Sequence, residues 1–259
     1  MRFITMGAEK QPAILFVHGL SATAESCYGE VARRLQGKWH IILCELDGHY
    51  PGSPEFESLQ RACEEIEEYV HKQHAGRIHG LIGLSLGGTI AASLLGRGNI
   101  RVHKTLLDAA FCVDMGWRRG FFSWLFPTGV IRIRDGKWVP RFIIEKLMGK
   151  GNRSVIEMLY PGISSATLHN ACRDVYAYQI PEGLKKTESE VTYWRGSNEV
   201  YPKKTAALLK EVLPGMTERV FPGMGTASFC MNTRRSMPLC LKPTCRIDSW
   251  LPHCSTASL

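Results

Sequence analysis

The feature that most restricts how this chain can fold is a single junction. The run from Ile78 to Leu84 is short, rich in Ile, Leu and Gly, and apolar enough to be buried on both faces. It passes without a linker into Ser85-Leu86-Gly87-Gly88-Thr89-Ile90-Ala91-Ala92, a helical pattern of small residues. A strand that becomes a helix within one residue needs backbone freedom and close approach, which Gly83, Gly87 and Gly88 supply. Such a turn lifts the Ser85 hydroxyl out of the sheet at a helix N-terminus, where the dipole favours developing negative charge. Gly83-Leu84-Ser85-Leu86-Gly87 also fits the pattern G-x-S-x-G. As a bare string that pattern is weak; the strand-turn-helix context is what makes it informative.

The same rhythm runs through most of the chain. Strands are expected at Ala13–Gly19, around "WHIILCELDGH", at Ile78–Ser85, in "HKTLLDAAF", at Glu190–Ser197 and in "TERVFPG". Helices are expected at Ser26–Gly37, Ser58–His74, after Ser85 and in "KKTAALLKEVLPG". Alternation of this kind argues for an α/β fold, a mostly parallel central sheet flanked by helices on both faces. Between Val113 and Lys186 the rhythm breaks into an aromatic, basic stretch too long for a simple connection. We read 113–186 as a helical cap inserted into a core formed by 1–112 and 187–225. An α/β scaffold accepts insertions in the loops above its strands' carboxyl ends. The alternatives are an amphipathic surface segment or one that touches a membrane.

"FVHGL", "LDGHYPGS", "GLSLGGTIA", "LLDAAF", "WRGSNEVYPKKTAALLK" and "VFPGMG" together resemble the α/β-hydrolase superfamily in its serine-hydrolase branch. The resemblance spans roughly Ala13 to Gly225 and implies hydrolysis of an ester, thioester or related acyl bond. It implies Ser85 as the nucleophile, and an oxyanion hole made by the backbone N–H groups of Leu20 and Leu86. Two fixed donors are needed where a carbonyl oxygen turns negative. In the family's chain order the acid follows, and Glu199 is the residue that matches, with Asp108 as the alternative. His18 and His49 are expected to fix loops rather than to act as the base. No metal and no organic cofactor is implied, and the expected partner is a small-molecule acyl substrate.

The base is missing. Relatives commonly carry Gly-His-Gly after the last strand, whereas this chain reads Gly225-Thr226-Ala227. Threonine cannot take a proton from serine at neutral pH. His253, the only histidine beyond Glu199, stands in a Pro/Cys-rich tail far past the slot. That tail, 226–259, holds Cys230, Cys240, Cys245 and Cys254, one acid and no helical period, where a terminal helix is expected. A reading frame that slips by one nucleotide after Gly225 accounts for all of this. With one base restored before Thr226, synonymous codons permit "HGEFLHEHPEEYAAMLKAYMQN" followed by a stop. The first base of each shifted codon is a choice, but the middle base largely dictates polar or apolar character. The restored string has histidine in the slot and an amphipathic helix behind it. The chain as it stands is therefore expected to be impaired; the competing class is a non-catalytic binding protein on the same fold.

Composition mainly removes other classes. The net charge of +8 is scattered and no nucleic-acid motif accompanies it, so nucleic acid is not expected as a partner. The start of the chain lacks the charged-then-apolar layout of a secretory signal. Nine cysteines, an odd number without regular spacing, do not read as a disulfide framework or a zinc site. A reducing, cytoplasmic setting is the expectation.

Overall fold

The computed structural model describes residues 1–140 and 159–223. The readings made above for Thr226, His253 and the 226–259 tail fall outside those residues, as does the 141–158 part of the insertion.

Seven strands form one sheet in the order β1-β3-β2-β4-β5-β6-β7. They are β1 (Arg2–Met6), β2 (Ala13–Val17), β3 (His40–Glu45), β4 (Arg77–Leu84), β5 (Arg101–Asp108), β6 (Glu190–Gly196) and β7 (Thr217–Phe221). The sheet is parallel from β3 to β7, and β1 closes one edge antiparallel to β3. This first strand is a correction, because the sequence reading places none before Ala13. Its residues are at most half-buried, so it lacks the continuous apolar run by which the central strands are recognised.

The described helices are α1 (Ala24–Leu35), α2 (Leu59–His74), α3 (Leu86–Arg97), α4 (Arg119–Arg134), α5 (Ser165–Tyr176) and α6 (Val200–Val212). Helix α2 begins where Ser58 accepts a hydrogen bond from the Arg61 N–H, and ends at Ala75 in the left-handed conformation. β2 and β3 are buried along their whole length and send alternate residues to opposite faces. Ile14, Phe16, Ile41 and Leu43 pack with Cys27, Tyr28, Val31 and Leu35 of α1. Leu15, Val17, Ile42 and Cys44 join a larger cluster with α2, α3, α5 and α6 on the other face. Helices on both faces of a mostly parallel sheet are thus the observed architecture.

Between β5 and β6 the chain carries α4 and α5 in place of a short crossover. Val130, Ile163 and Leu168 form a small core of their own, against which Leu20, Phe126 and Ile133 pack. The two helices therefore rest on the loop that follows β2.

Candidate active site

Ser85 sits between β4 and α3 with φ 49° and ψ −109°. This conformation is costly for a residue with a side chain, of order 1–3 kcal/mol, and persists only where the surroundings over-determine it. Here they do. The Ser85 N–H donates to the Asp108 carbonyl at 2.8 Å, and its own carbonyl accepts from the Thr89 N–H at 3.0 Å. Gly87 lies so close to β2 that a Cβ would stand 2.1 Å from the Val17 carbonyl oxygen and 2.7 Å from that of His18. Among residues 80–92, Ser85 alone is not buried, and its side chain makes no capping bond to α3. A strained, rigid backbone thus presents one accessible hydroxyl at a helix N-terminus.

The loop after β2 lies beside it. Val17 pairs with Gly83, and a Cβ on Gly19 would stand 3.5 Å from the Leu84 side chain, so the loop that carries Leu20 leaves β2 beside the residue before Ser85. Two histidines hold this loop. The His18 ring accepts from the Leu46 N–H at 3.1 Å through Nε2 and donates from Nδ1 to the Gly19 carbonyl at 2.8 Å. His49 accepts from the Ser21 N–H at 3.2 Å and donates to the Asp47 carbonyl at 2.8 Å. Each ring needs one bare and one protonated nitrogen, so each is neutral. Burial lowers His18 to about 4; burial, then the neighbouring His18, lowers His49 to about 3.

These two imidazoles pin the loop and carry a pH signature. Their folded-state values lie below the free value near 6.5, so the unfolded chain binds the proton first. The stability they contribute is whole above pH 6.5 and is lost as pH falls towards 4. Between pH 6.5 and about 5, above the carboxylate range, unfolding free energy should fall by up to about 1.4 kcal/mol per pH unit for each histidine. Urea denaturation across that window reads the slope, and His49→Gln should remove one proton's share of it. An unchanged slope in His49→Gln would mean the ring is not held neutral.

At the far side of the elbow, Glu199 follows the carboxyl end of β6 and is buried, its Oε2 accepting from the Gly196 N–H at 2.7 Å. Asp108, the last residue of β5, is also buried. Tyr193 of β6 donates its hydroxyl to the Ala110 carbonyl at 2.8 Å. Its phenol is pushed well above the ordinary value by burial first, with Cys112, Glu199 and Asp108 adding to the effect. Both carboxylates therefore belong to one neighbourhood at the carboxyl ends of β5 and β6. The loop ahead of Glu199 is tied to the exit of β7: the Ser197 N–H donates to the Phe221 carbonyl at 3.0 Å, and the Gly223 N–H donates to Ser197 Oγ at 2.9 Å. The chain thus leaves β7 beside the Glu199 loop, three residues before Thr226.

Sequence reasoning missed two parts of this site. Ala109, with φ 47°, turns β5 out of the sheet and donates its N–H to the Trp194 carbonyl at 2.8 Å. An alanine carries no signal for a left-handed turn. The other is an aromatic group beyond the end of β5: Phe111 lies 5.4 Å from both Tyr176 and Tyr201, and Phe122 of α4 lies 6.2 Å from each of the same two rings. Its members are far apart in sequence, so no local pattern joins them.

A family model described as the alpha/beta hydrolase family matches residues 14–228, and the chain belongs to this family. A comparison with curated protein sequences gives no match. Solved structures share the fold. A protein from Desulfitobacterium hafniense, described as of the alpha/beta hydrolase family, superposes with a TM-score of 0.77 at 22% identity, over 90% of this chain and 97% of that one. A structure reported with carboxylesterases of Nitrososphaera gargenis gives 0.71 at 16%, over 89% of each chain. An esterase from Exiguobacterium antarcticum gives 0.68 at 17%, over 90% of each.

Proposed function

We propose that this member of the alpha/beta hydrolase family descends from a serine hydrolase of small acyl substrates, and that the chain as it stands lacks its general base. The observation that carries the reading is Ser85, held at φ 49° as the one accessible side chain of an otherwise buried elbow. Ser85 attacks the acyl carbon, and the oxygen that turns negative is held by the N–H groups of Leu20 and Leu86. The loop that brings Leu20 alongside is fixed by two neutral histidines, which supports this assignment. The substrate's alcohol or thiol leaves with the proton that the base took from Ser85, which leaves an acyl-enzyme; water, giving a proton to the same base, then releases the acid and restores the serine. Glu199 orients the base and stabilises its charged form. It is preferred to Asp108 because its loop is bonded to the exit of β7, beside which a base would follow. Helices α4 and α5, resting on Leu20 and bringing Phe122 to the aromatic group, act as a cap that excludes water and shapes the acyl pocket. No metal enters this scheme.

The base belongs at position 226, where the chain carries threonine. A one-nucleotide frame slip after Gly225 is our account of that loss. The same threonine favours the second reading, a binding protein that keeps the pocket and dispenses with turnover. Hydrolysis of p-nitrophenyl esters of increasing acyl length by the frame-restored chain decides between the two. The enzyme reading expects turnover that falls to background in Ser85→Ala, and a preferred chain length that reports the pocket. A folded, frame-restored chain without turnover on any ester would favour the binder.

A further inference from the structure

The outer side of α4 is not used by the site. Trp117 is 90% exposed, Trp138 77%, Trp124 58% and Phe121 57%. Single exposed apolar residues are ordinary, but four large aromatics within 22 positions of one chain segment are not. Phe121, Trp124, Thr128 and Arg132 follow one another at three- and four-residue steps and so share one face of the helix. The opposite face packs onto the fold, with Val130 buried and Phe126 and Ile133 partly buried against Ile163 and Leu168. Residues 115–134 contain Arg118, Arg119, Arg132 and Arg134 and no acid. Arg134 pairs with Asp135, as does Lys137. Arg118, Arg119 and Arg132 face no carboxylate among the described residues; Arg118 lies over the Trp117 ring at 5.7 Å, and Arg132 donates to the Trp138 carbonyl at 3.1 Å.

We propose that this ridge is a docking surface for an anionic phospholipid bilayer, on which the protein rests peripherally with its aromatic tips at headgroup depth. Three properties select that occupant. Trp and Phe rings beside arginines combine an apolar body with a cation, which is the chemistry of the membrane interface. Its four aromatic side chains are each more than half exposed, so they suit a partner that yields around them rather than a rigid groove. These arginines, which form no ion pair among the described residues of a chain of net charge +8, are drawn to a negative surface and oppose a second copy meeting the same face. No helix among the described residues is long and apolar enough to cross a membrane, so the contact is one of lying on the surface. Docking does not depend on turnover at Ser85. It would place the cap and the site beneath it at the lipid boundary.

Flotation of the full chain with phosphatidylcholine vesicles, with and without phosphatidylserine, tests the proposal. We expect partitioning onto the anionic vesicles at least about tenfold stronger than onto neutral ones, weakened by salt. Trp117→Ser with Trp124→Ser should lower it about tenfold or more, by removing buried apolar area. Arg118→Glu with Arg119→Glu should do the same through charge. All four positions are exposed, so urea midpoints should stay at the parent value. Equal binding to both vesicles, no binding, or variants that float like the parent would overturn the proposal. So would self-association in sedimentation velocity that the tryptophan pair abolishes without any vesicle binding, because the occupant would then be a second copy.

Discussion

A chain in which one base is restored ahead of the Thr226 codon should hydrolyse p-nitrophenyl esters at least about a thousandfold faster than the chain as it stands. The magnitude follows from the division of labour at the site. The elbow, the β2 loop and the helix dipole are all built before Gly225, so under the proposed function the present chain keeps its means of binding and of stabilising an oxyanion. On that reading it lacks a group to take the Ser85 proton, and a serine without one is a weak nucleophile. General-base assistance contributes on the order of 10² to 10⁴ in rate. A terminal helix behind the histidine adds stability as well, because β7 forms the sheet edge and Val220 on it is left exposed. The gene bears on the same point. A nucleotide sequence in which no single-base insertion yields a histidine codon after Gly225 would end the frame-slip account, though not the family assignment.

Replacing Glu199, the proposed acid, should have the next largest effect. In the frame-restored chain, Glu199→Gln should lower kcat by about 10² to 10⁴ with little change in KM, since glutamine keeps the shape but can no longer stabilise a protonated base. Asp108→Asn should cost far less. Its backbone is what matters here, because the Asp108 carbonyl accepts the Ser85 N–H and a side-chain change leaves that bond in place. Steady-state kinetics on the two variants separate the carboxylates. A larger loss in Asp108→Asn would move the acid to the end of β5.

Much of this architecture was legible because the central strands are buried on both faces and read as unbroken apolar runs, as in Ala13–Val17 and His40–Glu45. The elbow was legible because three glycines are forced by contact rather than by habit. Gly87, pressed against Val17 and His18, is the clearest case. What the sequence hid was non-local or conformationally silent. Arg2–Met6 is an edge strand with little burial, Ala109 takes a left-handed turn that alanine does not advertise, and the aromatic group is assembled from four distant segments. The roles of His18 and His49 needed the structure for a different reason. The sequence favours loop-fixing for both, and the hydrogen bonds at both nitrogens of each ring supply the partners that it could not name.

The proposed function makes Ser85 a nucleophile whose machinery, apart from the base, is encoded up to Gly225. Fluorophosphonate labelling followed by peptide mass spectrometry addresses it most directly. The account expects one adduct per frame-restored chain, on the peptide that contains Ser85, absent from Ser85→Ala and formed far more slowly in the chain as it stands. A folded, frame-restored chain that stays unlabelled, or that carries its adduct on another residue, would contradict it.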